Sequence, residues 1–326
     1  MTGLLFAILA GALMTSPDSA PGWNTLTGER PVIIAHRGAS GERPEHTLAA
    51  YSLAIEQGAD FIEPDLVMTR DGVLIVRHDR YLSTTTDVSA HPEFADRRVE
   101  KEGRQDWWAE DFTLEEIKTL RAVQPREGRA KDYDGQFEIP AFEEVLALRA
   151  KASEETGRII GVYPETKHPA ALAALGLDPA PELARILKVH DLDGADAPVF
   201  VQSFEPESLV RLDAMIEAPL IQLVFPKSEM DRALPFESSV ALEQIPAYAD
   251  GVGPNKFLVI DRAGNDTGFV ARAHALGLAV HPWTFRNDDP PPDGLTGEAE
   301  IRRALEIGVD GVFTDFPATA AAARAR

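Results

Sequence analysis

The chain of 326 residues contains no cysteine. Disulfides, thiolate metal sites, cysteine nucleophiles and a lipid-modified cysteine are excluded together. Positive charge is also scarce: 32 Lys and Arg stand against 53 Asp and Glu, a net charge of −21. No basic stripe offsets it. Nucleic acid is therefore excluded as a default partner, and so is electrostatic docking on an anionic membrane. An anionic small molecule remains admissible where a local cation binds it. Long apolar runs are missing too. The N-terminal run, residues 4–14, has 11 residues, against about 20 for a bilayer span. No stable membrane insertion of the mature chain is expected. The run matches the apolar region of a secretory signal, and small polar residues follow it at 15–20. Residues 1–20 are expected to be a signal peptide and the mature chain periplasmic or secreted. An uncleaved leader would leave it cytoplasmic; no Lys or Arg precedes the run, and Asp18 lies close to a cut after Ala20.

What is present is an ordinary globular composition, 44% hydrophobic and 26% charged, which can bury a sizeable core. Short β-branched runs recur at 32–35, 61–67, 73–76, 158–163, 198–202, 220–224, 251–253, 278–282 and 311–314. Amphipathic patterns lie between most of them, at 47–57, 142–152, 181–189, 207–216, 267–276 and 298–307. Several end in glycine, as at Gly58, Gly277 and Gly308, a helix stop signal. Alternation on this scale predicts parallel β/α units. About eight strands fit a closed α/β barrel of the TIM (β/α)8 type, over residues 31–320. Residues 80–138 break the rhythm, being polar and too long for a β/α loop. They are expected to form a small subdomain inserted after the second or third strand. Setting aside a leader of about 20 residues and an insertion of about 55 leaves about 250, the size of one barrel. Residues 226–246 read as a second long loop.

Chemistry-bearing residues cluster at the ends of the early strands, where β/α barrels place their active sites. His36 and Arg37 close the first, a proton-transfer group beside a fixed cation suited to phosphate. Glu63 and Asp65 flank Pro64 at the end of the second. Residues two apart on a strand share a face. Two carboxylates so close repel unless a cation lies between them. All-oxygen ligation suits Mg²⁺ or Ca²⁺, not zinc. His78, before Asp79, offers a second acid–base group. Glu165 and Lys167 share another strand face, a third carboxylate for the cation and a charge for a phosphate oxygen. Their plainer alternative is a surface ion pair. Trp283 and Phe285 follow a late strand and offer an apolar wall, or ordinary core. Asp315 and Gln202 read as supporting residues, His281 as core, and Trp107-Trp108 as a cap on the pocket or an anchor of the insertion.

Together these blocks resemble the glycerophosphodiester phosphodiesterase family. The opening signature is His36-Arg37-Gly38, Pro44-Glu45-His46-Thr47, Glu63-Pro64-Asp65 and His78-Asp79. Tyr163-Pro164-Glu165-Thr166-Lys167, Gln202-Ser203-Phe204, Asp250 to Pro254, Val280 to Thr284 and Thr314-Asp315-Phe316-Pro317 continue it. The segment after His78 resembles the insertion of the periplasmic-type branch. The resemblance implies a TIM barrel and one divalent cation, Ca²⁺ or Mg²⁺, held by Glu63, Asp65 and Glu165. It implies His36 and His78 as general acid and base, and Arg37 and Lys167 on the phosphate oxygens. Trp283 would lie against the substrate. The substrate would be a small glycerophosphodiester such as glycerophosphocholine, cleaved to sn-glycerol 3-phosphate and an alcohol. The attacking group would be the glycerol 2-hydroxyl, through a cyclic phosphate, or water directly. His46, where many relatives carry asparagine, reads as a helix cap or a support, and Glu45 as a partner of Arg37. A lipase acting at a membrane would need an apolar or basic rim, and a binding protein would not need both histidines.

Overall fold

The computed structural model describes residues 22–227, 238–291 and 294–325. The expected signal peptide, residues 1–20, lies outside the described residues, as does part of the 226–246 loop. Among the described residues no helix is long and apolar enough to cross a membrane.

The first strand, β1 (Val32–His36), is buried through its centre. It pairs in parallel with β2 (Phe61–Glu63). The same pass of chain resumes as β3 (Asp65–Met68). Pro64 divides them because it has no N–H to give to a ladder. β4 (Leu74–Val76) then folds back antiparallel on β3. Counted above among the parallel runs, 73–76 is instead half of a hairpin beside the barrel. The turn through Gly72 is too short for a parallel crossover, which takes a dozen or so residues. β5 (Val99–Lys101) and β6 (Arg104–Asp106) form a second hairpin inside the 80–138 stretch.

The third pass is split in the same way, into β7 (Gly161–Val162) and β8 (Glu165–Thr166) around Pro164. β9 (Val201–Ser203), β10 (Leu220–Val224), β11 (Gly251–Pro254), β12 (Ala279–Val280) and β13 (Gly311–Thr314) follow. Pairing runs β13–β1–β2–β7 and β3–β8–β9–β10–β11–β12. The proline-split passes join these two runs. A parallel bridge between Phe285 and Thr314, and the hydrogen bond from Phe313 N–H to the Pro282 carbonyl, join the β12 pass to β13, which pairs with β1. Eight parallel passes thus close into the (β/α)8 barrel.

Ile34, Tyr163, Ile221 and Phe313 fill the barrel's interior. Two larger apolar layers lie between the strands and the surrounding helices. Leu48–Glu56 is capped by Thr47, whose hydroxyl accepts from Ala50 N–H. Phe142–Thr156 runs past the expected residue 152 to stop at Gly157, in left-handed backbone. Residues of the 80–138 stretch gather an apolar cluster of their own, with Leu82, Phe94, Trp107 and Phe112, set on Val67 and Ile75 of the hairpin. Trp107 and Trp108 donate to the Phe94 and Val99 carbonyls, at 2.6 and 3.1 Å, so they anchor this segment.

Candidate active site

The carboxyl ends of the strands surround a pocket of about 350 Å³. His36, Arg37, Glu63, His78, Glu165, Lys167 and Trp283 all line it. Asp65 lies buried just beneath. The residues assigned above to proton transfer, the cation, the phosphate and the substrate are therefore in one place.

Glu63, Asp65 and Glu165 each offer an oxygen within 4.8 Å of the others. Proline sets this up: Pro64 and Pro164 interrupt the ladders, and the residues around them turn carboxylates to the same end of the barrel. Glu63 accepts from the Arg37 backbone N–H at 2.7 Å and from Gln202 Nε2 at 3.2 Å. Asp65 Oδ2 accepts from His46 Nε2 at 2.8 Å. Asp65 Oδ1 and Glu165 Oε1 are buried and make no hydrogen bond; both face Lys167 Nζ, at 3.4 and 2.6 Å. Burial and the neighbouring carboxylates raise Glu63 well above the usual carboxylate range. Burial also raises Glu165, with Asp65 adding to it and Lys167 opposing. Asp65 goes the other way: burial opposes its charge, but Lys167 and His46 hold it ionised. Three buried carboxylates, two of whose oxygens have Lys167 alone beside them, are a donor set that fits one hard divalent cation.

Burial works against the charges of Arg37 and Lys167 as well. Around Arg37 the carboxylates of Glu45, Asp65 and Glu63 outweigh it. Around Lys167 those of Asp65 and Glu165 do so. Arg37 Nη1 donates to both oxygens of Glu45, at 3.0 and 3.1 Å, which fixes its side chain in the way the sequence suggested. His46 is not the helix cap; that is Thr47. Since Asp65 is ionised, His46 Nε2 carries the proton; Nδ1 lies 2.8 Å from the Tyr51 hydroxyl, which also reaches the Glu63 carbonyl at 3.1 Å. A tyrosine and a histidine thus brace one carboxylate of the triad.

The two histidines have parallel arrangements. His36 Nδ1–H donates to Asp315 Oδ1 at 2.6 Å, and His78 Nδ1–H to Asp79 Oδ1 at 2.8 Å. Burial and then the Arg37 charge lower His36 to about 3, despite Asp315. Burial, Arg37 and Lys167 lower His78. Both rings are neutral at pH 7, with Nε2 unprotonated. Burial opposes the charge on Asp315 too, but the His36 N–H, Arg286 and Arg129 hold it well below the usual carboxylate range. Arg286 Nε and Arg129 Nη2 donate to Asp315 Oδ2, at 2.7 and 2.6 Å.

The apolar side of the pocket differs from expectation at one residue. Trp283 is in the wall, its indole N–H on the Gly253 carbonyl at 2.8 Å. Phe285 is fully buried in the core layer outside the strands. The wall is completed by Phe204 and Phe225, stacked at 4.3 Å and both edge-on to Trp283. Sequence reasoning missed these two, and also Arg129 and Arg286. The signals for the aromatics are their position just past strand ends and, for Phe204, its place in the Gln202-Ser203-Phe204 block. His281 is core, as read, within 2.8 Å of the Tyr163 hydroxyl.

A closed barrel with histidines, carboxylates and cations converging at its carboxyl end defines a (β/α)8-barrel hydrolase. Comparisons give the family. The profile of the glycerophosphoryl diester phosphodiesterase family matches residues 36–319. A glycerophosphodiester phosphodiesterase of Arabidopsis thaliana is 37% identical, over 89% of this chain and 85% of its own. One from Haemophilus influenzae is 32% identical, over 97% and 95%. Among solved structures, an Oleispira antarctica phosphodiesterase in complex with the product sn-glycerol-3-phosphate superposes with a TM-score of 0.66 at 24% identity, covering 92% of this chain and 98% of that one. The chain belongs to the glycerophosphoryl diester phosphodiesterase family.

Proposed function

We propose that the chain hydrolyses small glycerophosphodiesters, such as glycerophosphocholine, to sn-glycerol 3-phosphate and the free alcohol, with a divalent cation bound. The observation that carries this reading is the meeting, in one pocket, of a buried carboxylate triad, two neutral histidines and two buried cations. Glu63, Asp65 and Glu165 would hold Ca²⁺ or Mg²⁺. That ion, when bound, supplies positive charge toward the phosphoryl oxygens.

The remaining chemistry belongs to the side chains. A phosphodiester carries one negative charge, and more gathers on the phosphoryl oxygens as the nucleophile adds. Arg37 and Lys167 lie where that charge grows, and their fixed positions avoid reorganisation during the reaction. An imidazole with a bare Nε2 takes the proton from the attacking hydroxyl. The other ring takes up a proton from solvent when the anionic phosphodiester binds beside it, and gives it to the leaving alcohol oxygen as its bond to phosphorus breaks. Asp315 and Asp79 orient the two rings and set the tautomer. The attacking hydroxyl is the glycerol 2-hydroxyl or a water; a cyclic phosphate caught in a rapid quench marks the first route. The Trp283–Phe204–Phe225 wall supports an apolar contact with the substrate's carbon chain.

The test is release of glycerol 3-phosphate from glycerophosphocholine by purified protein. It is run with EDTA, then with Ca²⁺ or Mg²⁺ restored. Release that EDTA stops and one ion restores is expected. Folded protein that releases nothing with either ion would overturn the reading, and lysophospholipid would be the next substrate tried.

A further inference from the structure

The inserted stretch reaches the loops that carry the pocket through Gln124, whose Nε2 donates to the Ser40 carbonyl at 3.0 Å, and through Arg129. Residues 125–128 and 130 are exposed, yet Arg129 between them is only 8% exposed. Its guanidinium joins three loops at the carboxyl end of the barrel. Nη1 donates to the Ser40 carbonyl, after β1, at 3.0 Å. Nε and Nη2 donate to the two oxygens of Asp288, at 2.6 and 3.1 Å. Nη2 also donates to Asp315 Oδ2, after β13, at 2.6 Å. A planar fork bonded to four acceptor atoms on three residues is fixed in place.

The consequence falls on Asp315. Its Oδ2 takes both Arg129 and Arg286, and its Oδ1 takes the His36 ring N–H. Arg286 alone would tie one edge of the carboxylate. With Arg129 added, the carboxylate is held from two directions and can only present Oδ1 to His36. We propose that Arg129 is a positioning residue: it fixes the Asp315 carboxylate that aims His36, so that a residue from outside the barrel completes the barrel's proton-transfer apparatus. This rests on the reading of His36 as an acid–base group. A plain alternative is that Arg129 only staples the inserted segment to the barrel through Ser40 and Asp288.

A double-mutant cycle on the full chain separates the two. kcat and KM for glycerol 3-phosphate release are measured in wild type, R129Q, D315N and R129Q/D315N, with H36A as reference. R129Q is expected to lower kcat by about 10–100-fold, since misplacing a reacting group by about 1 Å has that cost. KM should change less than about twofold, because Arg129 does not line the pocket. In the D315N background, R129Q should add nothing further, because its effect runs through Asp315. The downfield proton resonance of the His36 ring N–H, assigned by its absence in H36A, should shift in R129Q. R129K keeps the charge but not the fork, so it should show the same pattern, and it serves for the whole cycle if R129Q does not fold. A staple alone would give losses that multiply with those of D315N and leave the ring proton in place. Either that result or an R129Q with wild-type kcat would overturn the proposal while leaving the function reading intact. An active H36A would remove the histidine reading itself, and the role of Arg129 with it.

Discussion

Three carboxylates within 4.8 Å of one another do not all hold charge without a cation. Glu63→Gln keeps the size and removes the charge. It is expected to lose Ca²⁺ or Mg²⁺ binding in calorimetric titration and to lose hydrolysis, with the circular dichroism of the barrel intact. Full activity in that variant would end the metal assignment. His46 should matter at one remove, since it holds Asp65 Oδ2 at 2.8 Å and is itself held by Tyr51. His46→Ala should weaken cation binding by about 10–100-fold, the usual effect of losing a ligand's hydrogen-bond partner. His36→Ala and His78→Ala should each lower kcat by about two to four orders of magnitude; a loss below about tenfold in either would take that residue out of the proton transfer. The residues legible in the sequence are those that share a strand end with a chemical neighbour: His36 with Arg37, Glu63 with Asp65, Glu165 with Lys167. Asp315 was legible only as a support. Arg129 and Arg286 were not legible at all, because their partner is far away in sequence and no local pattern records a contact of that range.

At the level of elements, the loop after β1 and the helix Leu48–Glu56 must meet closely, because that loop carries Arg37. Gly38 permits it. Its φ is +84°, and a Cβ there would stand 2.7 Å from the Ala50 backbone. Gly38→Ala should therefore destabilise the fold by more than about 1 kcal/mol, through strained backbone and a clash together. It should also lower kcat, because Arg37 and His36 move with the loop. Thr47→Ala removes the cap and the hydroxyl's hydrogen bond to the Pro44 carbonyl, and should cost about 1–2 kcal/mol with kcat little changed. Urea unfolding of the two variants beside their rates tests the distinction; equal rates in both would sever the link between Gly38 and the site. Most strand positions followed from β-branched runs, and helix ends from glycine. The splits at Pro64 and Pro164 were half visible: a proline argued against a plain strand, but not for two short strands turning carboxylates inward. The β3–β4 hairpin was misread as a parallel strand because an apolar run of 73–76 looks the same in either sense. Only the tight turn before it carries the difference.

The whole molecule carries a net charge of −21, which speaks to partners and solubility and not to the fold. The barrel came from the rhythm of the chain, and the inserted segment from its interruption. What neither rhythm nor charge reveals is the barrel's centre, where His281 is packed against Tyr163 and Phe200 with little access to water. Burial lowers it to about 4, with Asp310 opposing weakly. Its value in the unfolded chain is about 6.5. Between those two values the unfolded chain binds a proton that the folded chain does not. Stability therefore rises with pH through this window and is level above it; on acidification it is lost until the pH reaches about 4. The shift corresponds to about 3 kcal/mol in full, and to about 2–3 kcal/mol between pH 7.5 and pH 4.5. Acidification also titrates the surface carboxylates and relaxes their mutual repulsion, so wild type alone gives a mixed slope. His281→Gln shares that surface and lacks the buried imidazole. Its unfolding free energy in urea should fall less than that of wild type between the two pH values, by about 2–3 kcal/mol. Equal slopes in the two proteins would mean that water reaches the barrel's centre and that His281 titrates there as it does in the unfolded chain.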